Sequence, residues 1–116
     1  MPTTSSPVSD MLVTVKSREI QRAMFAEMAG DREGARRHFL AAAQLELVLA
    51  HDYEAAGEPE LAFRSRISSA SCFWSGGEIE QGRQALEALR VQQPSQTTTV
   101  DEVLAELLRA YPPQAA

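Results

Sequence analysis

The sequence is poor in the residue types that do chemistry: among 116 residues there is one cysteine (Cys72), one lysine (Lys16), two histidines and no asparagine. A single thiol excludes a disulfide framework and fits a reducing compartment. Basic surplus is missing too. With a formal charge of -5 and an isoelectric point near 5.0, the chain lacks the excess of Lys and Arg that neutralises phosphates, so nucleic acid is not an expected partner. Residues 1–57 carry six basic and eight acidic side chains and residues 58–116 five and eight, so neither half is a charged tail. Long apolar runs are absent: the richest, Phe39–Ala50, is broken by Gln44 and Glu46, and no membrane span is expected. Met1–Asp10 has no positive n-region and Met11–Val15 is too short for a signal-peptide core, so a cytoplasmic location is the expectation.

What is present is 44% hydrophobic residues in a chain of single-domain length, enough for an ordinary core. The punctuation is helical. Gly30–Asp31, Gly57 and Gly76–Gly77 interrupt stretches rich in Ala, Leu, Glu and Arg. A first helix is firm from about Ser17 to Ala29, with Ile20, Ala23, Met24 and Met28 on one side; Met11–Val15 is a weaker helix former. Arg32–Ala56 reads as one long helix, with a break near Gln44 as the alternative. Helices follow from about Pro59 to Ser75 and from about Glu78 to Val91, the latter carrying Ile79, Gly82, Leu86 and Leu89 on one face. Gln92–Thr98 reads as a linker. Thr99 and Glu102 have capping-box spacing before a stripe of Val100, Val103, Leu104, Leu107, Leu108 and Tyr111, and Pro112–Pro113 end that helix. The expected division is a loose arm over 1–9, one helical domain over 10–111 with its linker at 92–98 and terminal helix at 99–111, and a tail over 112–116. The fold class is all-α.

The surroundings of the three glycine turns are alike. Ala35, Phe39 and Ala42 follow Gly30, Ala62 follows Gly57, and Gly82, Leu86 and Leu89 follow Gly77. Leu49, Ala50 and Tyr53 precede Gly57, and Ala70 and Phe73 precede Gly77. Over roughly residues 17–94 this resembles the tetratricopeptide repeat, in which small and large residues alternate between the helices of a hairpin. The turns are 27 and 20 residues apart rather than 34, Arg66 and Ser69 occupy a large and a small position, and Glu46 stands at the Trp position. The same turns also suit ordinary antiparallel bundles and microtubule-interacting-and-trafficking domains. The resemblance implies antiparallel helix hairpins, about four helices, used for protein contacts and not for catalysis, with the last helix as a cap. The family's carboxylate clamp of Lys and Asn does not carry over to a chain with one Lys and no Asn.

Catalytic spacings are missing. His38 and His51 lie 13 residues apart on one expected helix, and neither has Glu or Asp three residues before it. No zinc spacing occurs, so neither metal nor cofactor is expected. Cys72 lies mid-helix among serines and aromatics, which suits a structural thiol. Ser65, Ser68, Ser69, Ser71 and Ser75 suit close helix packing and bonds to preceding carbonyls. Trp74 is read as core, with a surface anchor as its sharper alternative.

Glu46 is the anomaly, because the wheel sets it among Phe39, Ala42, Leu49, Ala50 and Tyr53. A carboxylate there needs a partner or a groove, and Arg64 or Arg66 of the next helix is the expected one. The function expected is a non-catalytic protein–protein interaction module, not an enzyme, binding another protein or peptide. Glu46, Arg64, Arg66 and Trp74 are its candidate groove. A small-ligand-binding or sensory domain with a polar spot at Glu46 and Arg66 is the alternative. The terminal stripe is expected to dock within the chain, with a homodimer through it as the other possibility.

Overall fold

The computed structural model describes residues 7–113. Among them there are five α-helices and no strand: α1 (Pro7–Met28), α2 (Arg32–Ala55), α3 (Pro59–Ser75), α4 (Ile79–Gln92) and, after one 3-10 turn at Pro94–Gln96, α5 (Thr97–Ala110). α2 is unbroken at Gln44. The first helix starts earlier than its sequence suggests: Ser9 is buried and donates to the Asp52 carboxylate (3.0 Å), so tertiary contact overrides the weak propensity of Val13–Val15. Residues 1–6 of the expected arm and 114–116 of the tail lie outside the described residues.

The three glycine turns share one geometry. Gly30, Gly57 and Gly77 all have positive φ. At each, the glycine N–H and the following acidic residue's N–H return to carbonyls of the preceding helix, as in Asp31 to Ala26 (2.8 Å), Glu58 to Tyr53 (2.8 Å) and Glu78 to Phe73 (2.9 Å). This is the Schellman closure, which a Cβ at the glycine would strain. Because each turn is short, consecutive helices run antiparallel.

The packing is sequential: α1 lies beside α2, α2 beside α3, α3 beside α4, and α5 against α3 and α4. The molecule is accordingly a slab of 50 × 31 × 17 Å. One core cluster joins the first three helices through Ala23, Phe39, Ala42, Ala43 and Phe73; a second joins α3, α4 and α5 through Phe63, Trp74, Leu86, Leu89, Val100 and Leu107. Small residues permit the contacts. An added Cβ at Gly82 would stand 2.7 Å from the Ala70 carbonyl oxygen, and buried Ser69 bonds across to the Ala43 carbonyl at 2.9 Å. Ser71 instead bonds back to Ile67 within its own helix (3.0 Å).

Three expectations change. The helix expected from Thr99 begins at Thr97 without a side-chain cap, so the Thr99–Glu102 capping box does not form. The 3-10 turn feeds directly into α5, shortening the expected linker to Gln93–Gln96. Met24 and Met28, read as packing residues, are exposed, and the inner side of α1 is carried by Ile20, Ala23 and Ala26.

Candidate functional site

Glu46 is 3% exposed, as the wheel requires, but its partner is Lys16 of α1 (3.5 Å) and not Arg64 or Arg66. Arg66 reaches back to Glu54 (2.6 Å), and Arg64 is exposed with no ion pair among the described residues. α2 contacts two helices, and the wheel fixes the buried side without saying which neighbour lies over it. Lys16 suits the place because a lysine can bury its apolar stem while its charged end keeps access to water, and its side chain stays partly exposed. The buried charge is felt nearby. Burial first, then Glu46, raises the Tyr53 hydroxyl above its ordinary pKa, and the same two causes push the Cys72 thiol to about 11. Such a thiol holds its proton at neutral pH and is a poor nucleophile.

Trp74 is 2% exposed and donates its indole N–H to the Tyr111 carbonyl (2.8 Å). Glu46, Arg64, Arg66 and Trp74 therefore form no common groove: two are interior, one is exposed and one is spent on Glu54. The histidines are also apart. His38 Nδ1 lies 2.6 Å from the Glu19 carboxylate, a partner from α1 that spacing along α2 could not reveal, and His51 is exposed. Among the described residues no three His, Cys, Asp or Glu side chains gather as for a metal ion, and no helix is long and apolar enough to cross a membrane.

The terminal stripe docks within the chain. Val100 and Leu107 are buried, Val103, Leu104 and Tyr111 are half-buried against the second core, and only Leu108 faces out. The stripe is thus not free for a second subunit. Tyr111 does more than cover apolar surface: its hydroxyl donates to Glu27 of α1 (2.7 Å) and its ring meets Phe39 of α2 edge-on at 6.4 Å. Burial and the Glu27 carboxylate hold that hydroxyl up at about 12. Beside it, a cleft of about 580 Å³ opens between Arg32 and Arg36 of α2, Ser75 of α3 and the end of α5.

The surface feature that the sequence reading missed is the outer side of α1. Among the described residues nine large apolar side chains are exposed, and six of them, Val8, Met11, Val15, Met24, Phe25 and Met28, belong to this helix. A seventh, Val48, is on α2. The signal was in the sequence: apolar residues lie all round α1, whereas a surface helix concentrates them on one side. Comparison with protein-family models, with curated proteins and with solved structures finds no match to this chain.

Proposed function

We propose that the protein is a non-catalytic protein–protein interaction module with a tetratricopeptide-like layer of helix hairpins, working in the cytoplasm. One observation carries the reading: the first hairpin keeps its apolar outer face uncovered, while the other end of the layer is closed by α5. A helix array must cover its terminal apolar faces, and large exposed patches mark interaction sites. The repeated glycine turn and the sequential helix order support the hairpin layer. The engaged Glu46 and the protonated Cys72 thiol suit a protein that does no chemistry.

The test is cross-linked affinity capture from cells that express the protein, comparing wild type with Met11→Glu and Phe25→Glu. Both side chains are more than half exposed, so the variants keep the wild-type melting temperature. Loss of the captured proteins in these variants supports the reading; identical capture by all three chains rejects it. A small-ligand domain is the second reading, and the cleft between Arg32, Arg36 and Tyr111 favours it, since neither arginine has an ion-pair partner among the described residues.

A further inference from the structure

The outer residues of α1 fall in a heptad register. Val8, Met11, Val15, Arg18, Arg22 and Phe25 are separated alternately by three and four residues, the spacing of a coiled-coil seam. All are exposed, and of the four apolar ones Val15 is the least so at 41%. Three apolar positions, Val8, Met11 and Val15, precede the two arginines, and one, Phe25, follows them. Arg22 shares the Glu19 carboxylate (3.1 Å) with His38 (2.6 Å), and Arg18 has no ion-pair partner among the described residues.

The seam borders a groove. The Glu19–His38 contact marks the side of α1 on which α2 rises beside it, and the wheel puts Leu45 and Val48 on that side of α2. The Ser9–Asp52 and Lys16–Glu46 contacts set Val48 level with Leu12 and Val15. The groove is therefore lined by two antiparallel helices, a shape that accepts a third helix.

We infer that this groove receives an acidic amphipathic helix from another protein, with apolar residues at its ends and carboxylates at its centre facing Arg18 and Arg22. The inference rests on the interaction-module reading and names the partner's chemistry. Charge decides the occupant. A second copy laid on the same seam offers these arginines no carboxylate: in parallel each meets its own counterpart, and antiparallel with the seams in full overlap Arg18 meets Val15 and Arg22 meets Met11. Like charges desolvated together suppress a wrong partner, and opposite charges fix register. The terminal helix of this chain is excluded because its stripe is buried in its own core.

The experiment titrates the full chain with two synthetic three-heptad peptides, followed by anisotropy. Both carry Leu at the outer seam positions; one has Glu and the other Lys at the two central ones. The acidic-centred peptide should bind at least about tenfold tighter, with affinity falling as salt rises. Arg18→Glu, and the double change Arg18→Glu with Arg22→Glu, should reverse the preference; circular dichroism checks that both variants remain helical. Equal binding of the two peptides, or binding of neither, overturns the inference. So does a concentration-dependent dimer in sedimentation that Met11→Glu dissolves, since the occupant is then a second copy. A captured protein that touches α1 through a basic or non-helical segment overturns the acidic-helix assignment alone and leaves the module reading standing.

Discussion

At the scale of single residues, the two ends of the Lys16–Glu46 pair should respond unequally. Glu46 is buried, whereas the Lys16 side chain keeps about a fifth of its surface in water. Lys16→Met strands a carboxylate inside the layer and should cost about 3 kcal/mol, the low end for a broken buried pair. Glu46→Gln leaves an ammonium that can turn to solvent, and should cost about 1 kcal/mol. Urea denaturation of the two variants and of the double mutant measures both numbers; equal losses would mean the pair is screened like a surface bridge. Cys72 supplies the alkaline limit. Its thiol titrates near 11 when folded and near 9 when unfolded. Below pH 9 both states are protonated and its contribution is intact. Between 9 and 11 the unfolded chain binds fewer protons, so about 2–3 kcal/mol of stability drains away as pH rises. Cys72→Ala should flatten that slope in melts from pH 8 to 11, and the wild-type thiol should react with iodoacetamide only on unfolding.

Among the elements, α5 is the one whose removal should be felt throughout. Burial of Val100 and Leu107 alone is worth about 3–6 kcal/mol, a large part of what a domain this size has. Truncation after Gln96 uncovers Trp74, Leu86 and Leu89, and should yield an aggregating or unfolded chain by light scattering and circular dichroism. Tyr111→Phe keeps the ring on Phe39 and loses the hydroxyl's bonds to Glu27 and Ser75, so it should cost about 1–2 kcal/mol. The helices of this layer are legible because three positive-φ glycines end three runs of helix formers free of interior breaks, and the α5 stripe because Val100 to Tyr111 repeats at helical spacing. Two things were not legible. The start of α5 depends on whether Pro94–Gln96 turns into the helix, which local propensity does not decide. The partners of Glu46 and His38 depend on which helix lies over each side of α2, and periodicity specifies a buried side without its neighbour. The exposed apolar side of α1 was hidden for a related reason: Met24 and Met28 have helical spacing with Ile20, and only the packing shows that α2 covers Ile20 and not them.

For the molecule as a whole, sequential packing makes stability uneven along the slab. α2 and α3 each have helices on two sides, while α1 is an end helix whose outer seam contributes nothing to the core. The far end is closed differently, because α5 lies across α3 and α4 and Arg90 of α4 pairs with Asp101 of α5. The Tyr111–Glu27 bond, just past the end of α5, reaches α1 and ties the C-terminal part of that helix to the closed end. Local opening should therefore begin at the N-terminal half of α1, where backbone bonds have solvent on one side and few buried neighbours on the other. Native-state hydrogen exchange should find the amides from Met11 to Arg18 exchanging well before those from Ile67 to Phe73 in α3. The acidic-centred peptide that fills the outer groove should slow the first set and leave the second unchanged, because it adds the missing neighbour to one helix only. If both sets exchange at a single rate, α1 opens only when the whole layer does. The covered end and the bare end of the slab would then be equally stable, and the exposed seam would have to be explained without any shortage of packing.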